Sequence, residues 1–126
     1  MKNSISENVS DFLDFLRESE QLARISKENE QEANDSTQDI LHKLEIQPVS
    51  YHEAARLARK LAEVRQSRRM AKDIYNTVSL IVQWAEENKN VVKSLERLLG
   101  DVRKSEKFMQ NRTYTPKTGV LKEVGG

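Results

Sequence analysis

The residues best suited to chemistry lie between Arg56 and Lys72, where Arg56, Arg59, Lys60, Arg65, Arg68, Arg69 and Lys72 stand against one carboxylate, Glu63. On a helix, cations at three- and four-residue steps can follow a row of phosphates by charge and by the two-pronged contact a guanidinium makes with an anion. Arg56, Arg59 and Lys60 share one side, whereas Arg65, Arg68, Arg69 and Lys72 follow the edge of an apolar seam. The second set has another use. Glu18, Glu20, Glu28, Glu30 and Glu32 upstream are available partners, so these arginines could clamp an acidic helix to a basic one. Pairing of that kind, or plain solvation, is the first expectation for the segment, and nucleic-acid contact is the alternative.

Other constellations carry less. Asp39, His42 and Glu45 share a helical turn, but exposed polar residues at that spacing are ordinary surface, and no metal site is expected. No strand-turn-helix elbow exists to mount a serine nucleophile, and Gly100 and Gly119 stand alone rather than in a phosphate-cradling loop. There is no cysteine, which removes disulfides, thiolate ligands and cysteine nucleophiles. Neither catalysis nor a cofactor is expected. Trp84 sits one residue before Ala85 and within a turn of Ile81, so burial inside a bundle is expected of it, with an interaction anchor as the alternative. Arg112, Tyr114 and Lys117 form a second potential contact group near the C-terminus.

Helices must hold these residues. Ser4 or Ser6 can cap a first helix in which Ile5, Val9, Phe12 and Leu16 recur at helical spacing, with Leu13 and Phe15 widening the stripe. From Ser26 to Ser36 the only apolar residue is Ala33, and the stretch reads equally as a solvated helix or a linker. Ile40, Leu41 and Leu44 resume the pattern, and Pro48 ends it. The acidic N-terminal helices are therefore placed at 5–45. Ser50 and Glu53 form a capping box that opens a long basic helix at 51–87, whose seam runs through Leu57, Leu61, Val64, Ala71, Tyr75, Val78, Val82 and Ala85 with Arg68 as its one charged member. Glu87-Asn88-Lys89-Asn90 is a polar gap. It reads either as a turn, with Asn90 capping a helix at 90–110, or as part of an uninterrupted rod.

Residues 111–126 change character, with β-formers on both sides of Pro116-Lys117-Thr118-Gly119, and are read as a short irregular or β-hairpin tail after a helical domain at 1–110. The fold class is thus all-α: an elongated helical hairpin or a small coiled-coil-like bundle. Composition supports this, because only four Gly and two Pro interrupt 126 residues and aromatics make up 6%, too few for a sandwich or barrel. Net charge is +1, but residues 1–50 hold 5 basic and 11 acidic side chains while residues 51–126 hold 16 and 9. Opposite halves favour antiparallel pairing within or between chains, so a homo-oligomer is expected. No apolar run spans a membrane and MKNSISENVS lacks a signal-peptide core, so a cytoplasmic location without membrane contact is expected.

The run Tyr51-His52-Glu53-Ala54-Ala55-Arg56-Leu57-Ala58-Arg59-Lys60-Leu61-Ala62-Glu63-Val64-Arg65, with Arg112-Thr113-Tyr114-Thr115-Pro116 after it, resembles small helical proteins encoded by phages of Gram-positive bacteria. The resemblance spans about half the chain and transfers no functional residue. It implies a phage or prophage setting, where small helical proteins bind host or phage machinery. With no catalytic constellation among the residues, the chain is expected to be a non-catalytic module that binds a protein partner, as a modulator or inhibitor of such a machine, and a nucleic-acid-binding helical protein using residues 56–72 is the alternative.

Overall fold

A computed structural model describes residues 3–112 together with Gly119. These residues form three helices and no strand: α1 (Ile5–Ile46), α2 (Tyr51–Glu87) and α3 (Lys89–Asn111). The tail read as irregular or as a β-hairpin lies, apart from Asn111, Arg112 and Gly119, outside the described residues.

The 42 residues of α1 run about 60 Å without a break, so residues 26–36 are helix rather than linker, and the N-terminal region is one helix rather than several. Nothing in that stretch breaks a helix, and its seam residues are small. Ser19, Ala23, Ser26 and Ala33 are buried at spacings of four, three and seven, which lets a second helix approach closely. Ser19 Oγ and Thr37 Oγ1 donate to the carbonyls of Phe15 and Ala33 at 2.7 and 2.8 Å, so these seam hydroxyls are satisfied within their own helix.

Ser4 is the α1 cap, its Oγ accepting from the Glu7 amide at 3.2 Å. Residues 47–50 reverse the chain, and Ser50 Oγ accepts from the Glu53 amide at 3.2 Å. The other half of the expected capping box does not form. Glu53 instead turns its carboxylate to Lys43 Nζ at 2.9 Å, tying the end of α1 to the start of α2 across the loop.

At Asn88 the chain bends but does not reverse, so neither sequence reading holds in full. Its backbone leaves helical geometry, with φ −121° and ψ 37°. Even so, the Asn88 amide donates to Trp84 O at 3.0 Å, Val92 N–H donates to Asn88 O at 3.0 Å, and Asn88 Nδ2 adds a bond to Trp84 O at 2.8 Å. The hydrogen-bond ladder carries the chain through the bend. Asn88, not Asn90, flanks α3, and its side chain caps nothing there.

Beyond the bend α3 packs on α1 rather than on α2. Contacts at Lys43 with Glu53, Asn34 with Arg68, Lys27 with Tyr75 and Ser6 with Glu106 show α2 and α3 acting in succession as one bent antiparallel partner of α1. The fold is an elongated helical hairpin closed at residues 47–50. At its far end Glu106 Oε2 accepts from the Ser6 amide at 3.2 Å, placing a carboxylate on the positive end of α1.

Two layers make a thin core. Leu13, Leu16, Ile40, Val78 and Leu99 lead it, yet no large side chain among the described residues is less than 2% exposed. The chain exposes 10512 Å², against about 6,900 Å² for a compact monomer of its mass. The residues beyond Arg112 could supply only about 2,100 Å² of the excess even if fully exposed. No described helix is long and apolar enough to cross a membrane.

Candidate functional site

The α1–α2 seam separates two open faces. On the first, Leu22 and Ile25 of α1 and Ser67, Met70 and Ile74 of α2 line a groove whose floor includes Ser26, Ala33 and Ala71. Apolar residues extend this face toward the N-terminus of α1, where Phe12 and Phe15 place their rings 6.4 Å apart. On the opposing helix Met70, Thr77, Trp84, Val91 and Leu98 repeat at seven residues, past the bend, so they share one side. Phe12, Phe15 and Trp84 remain 44%, 46% and 41% exposed.

Trp84 is therefore not buried inside a bundle. A third helix folding back would have covered it, but α3 continues past Asn88 along α1 and leaves this face without a second layer. Tyr75, a member of the α2 seam, is half-buried, with Lys27 Nζ 4.7 Å from its ring centroid.

The second face is polar. Gln31, Asn34, Thr37 and Gln38 of α1 meet Arg65, Arg68 and Arg69 of α2 around a cleft. Arg68 occupies a seam position, yet its side chain leaves the seam and its Nε donates to Asn34 Oδ1 at 2.6 Å. The expected clamp between these arginines and the acidic helix is absent: among the described residues no carboxylate lies within 4.0 Å of Arg65, Arg68 or Arg69. The one described ion pair joining α1 to α2, Lys43 with Glu53, has the opposite polarity. The reason lies in the faces. Glu18 and Glu32 lie on the groove side of α1, one turn before Leu22 and two turns after Ile25, and Glu20 falls far along α1 from the arginines. Glu30 stays half-exposed in the seam itself.

The cationic segment thus divides. Arg65, Arg68 and Arg69 converge on the polar cleft, with Lys72 one turn further along α2. Lys60 lines the end of the apolar groove and approaches Glu63 at 4.0 Å. Arg56 lies near Glu53 and helps to hold its carboxyl below the usual glutamate range, behind the larger effect of Lys43. Arg59 is exposed, and Arg112 flanks the end of α3, far along the chain from the cleft. Tyr114 lies outside the described residues. Gln31, Asn34 and Gln38 were not singled out in the sequence, because neutral amides on a solvated helix carry no signal until the opposing helix is placed. Phe15 had one, as a widening of the first apolar stripe beyond what a single seam needs.

No group of three His, Asp or Glu residues among those described could hold a metal ion. Comparison with protein-family models, curated proteins and solved structures returns no match for this chain.

Proposed function

We propose that the chain is a non-catalytic protein-interaction module whose apolar face takes a second copy of itself, giving a dimeric scaffold that binds a further protein partner. The observation that carries this reading is the uncovered row Phe12, Phe15, Leu22 and Ile25 facing Met70, Ile74 and Trp84 across one seam. With Val91 and Leu98 these side chains offer on the order of 800 Å² of mainly apolar surface, the size each partner contributes to a standard interface.

A twofold axis parallel to the helices lays α1 of one copy on α2 of the other and completes a four-helix bundle. In that arrangement Phe15, with Phe12 a turn beyond it, comes within about one turn of the height of Trp84 of the partner subunit. Nearer the loop, Asp39 on the rim of α1 comes level with Lys60 of the partner subunit, so charge supports the register. The resemblance to phage-encoded helical proteins fits a module of this kind acting on a host or phage protein machine in the cytoplasm.

Analytical ultracentrifugation tests the reading. The parent should sediment as a dimer at micromolar concentration, and Leu22→Glu with Trp84→Glu should raise the dissociation constant by at least 100-fold, about 3 kcal/mol. Both positions are already part-exposed in one copy, so the helical circular dichroism should persist. A parent that stays monomeric on concentration overturns the dimer.

A further inference from the structure

From the polar cleft we infer a second, independent site, one that binds the phosphodiester backbone of a nucleic-acid duplex. Its anion-binding groups are the guanidiniums of Arg65, Arg68 and Arg69, with the ammonium of Lys72 beside them.

Three observations carry it. The guanidiniums have no carboxylate within 4.0 Å among the described residues, although α1 is rich in acids, so their charge is not consumed inside the fold. The neighbouring α1 side chains are neutral hydrogen-bonding groups, Gln31, Asn34 and Gln38, which neither repel nor compete for a phosphate. Asp35, one turn beyond Gln31, already accepts from Gln31 Nε2 at 3.0 Å. Most telling is Arg68. A seam position in a paired helix favours an apolar residue, yet this one holds an arginine whose Nε is pinned to Asn34 at 2.6 Å. Pinning Nε leaves the two terminal nitrogens free and fixes the plane in which they can engage two phosphate oxygens. Asn34 is thus a positioning residue, acting through Arg68.

The spacing suits a backbone and not a lone anion. From Arg65 to Lys72 the helix rises about 10 Å, so the cations form a short line rather than a cage. A duplex fits better than a single strand, because the nearest aromatic on this side, Tyr75, has Lys27 over its ring and offers no platform for base stacking. The row reads charge without base edges, so contact is independent of sequence. In the proposed dimer the two clefts face outward on opposite sides, but nothing in the site depends on the dimer.

Fluorescence anisotropy with labelled duplex DNA and duplex RNA of about 20 base pairs, across a salt series from about 50 to about 200 mM, tests this. The parent should bind, with log K falling against log salt at a slope of about −3, an approximately 60-fold loss over that range. Arg65→Gln with Arg69→Gln should make the slope shallower by about 1.8 and leave helicity and sedimentation unchanged. Asn34→Ala keeps every charge, and should weaken binding severalfold at constant slope. Arg56→Gln with Lys60→Gln, on the other side of the helix, should move the slope by less than half as much. A parent that ignores the duplexes overturns the site. So does a control pair that loses as much as Arg65 and Arg69, or equal binding to polyglutamate of matched charge.

Discussion

Leu22, Ile25, Met70 and Ile74 on one side of the α1–α2 seam, and Gln31, Asn34, Arg65 and Arg69 on the other, are carried by the same two helices over overlapping lengths. One side withholds apolar surface from water poorly; the other leaves cations without counter-charges. The difference comes from single-residue steps. Arg69 and Met70 are neighbours in sequence, but a step of about 100° around the helix sends one to the polar cleft and the other to the apolar groove. A thin seam makes this separation possible. Where Ala33 and Ala71 fill the interface, the helices lie close and flanking side chains reach outward instead of into a core.

Both faces therefore depend on the same small residues, and enlarging one should damage both. Ala71 is buried and also forms part of the groove floor. Ala71→Leu should destabilise the fold by about 1–3 kcal/mol through overpacking, and weaken dimerisation and duplex binding together. Ala62→Leu, the same change at an exposed position of α2, should do neither. Chemical denaturation of the two variants measures this. Equal stability of the pair would mean the helices can separate without loss, and the seam would not be what joins the faces.

A smaller effect, of opposite sign, should come from Gly100. It lies inside α3, away from both faces, and a Cβ placed there meets nothing within 4 Å. Gly100→Ala should raise stability by about 0.5–1 kcal/mol through helix propensity alone, with sedimentation and salt slope unchanged. Thermal unfolding checks it. If the substitution altered either binding property, the Gly100 side of α3 would have to take part in a face that Val91 and Leu98 occupy from another side of the helix.

Much of the helix pairing could be read from spacing, because the four-three steps of Leu57, Leu61 and Val64 and of Ala71, Tyr75 and Val78 specify a seam whatever lies opposite. The bend at Asn88 could not. A turn and a rod share the same polar gap, and the deciding contact, Ser6 with Glu106, joins residues a hundred positions apart. Exposure of Trp84 follows from that bend. For the arginines, charge count was visible but pairing was not: an acidic helix beside a basic one suggests neutralisation, while the rotation of each helix about its own axis decides which side chains meet. Residues 26–36 looked ambiguous for a related reason, since Ser26 and Ala33 become interface residues only once a second small residue, Ala71, is known to face them.

The smallest expected effect belongs to the loop end, where the two faces meet at the Lys43–Glu53 pair. The Lys43 ammonium, by hydrogen bond first and by charge second, holds the Glu53 carboxyl below its ordinary value of 4.5, with Arg56 adding to this and partial desolvation opposing it. A carboxyl whose pKa is lower folded than unfolded stabilises the fold above its ordinary value, and that contribution disappears as pH falls through the folded value. Glu53→Gln should therefore lower the melting temperature near neutral pH, by less than any destabilising substitution above. The gap between parent and variant should close as the pH drops below the normal glutamate range. Both side chains are part-exposed, so added salt should narrow the gap as well. Thermal melts of the two proteins at several pH values decide it. A gap that is unchanged in acid would assign the role of Glu53 to its packing at the helix start, and the link across residues 47–50 would then be the loop alone.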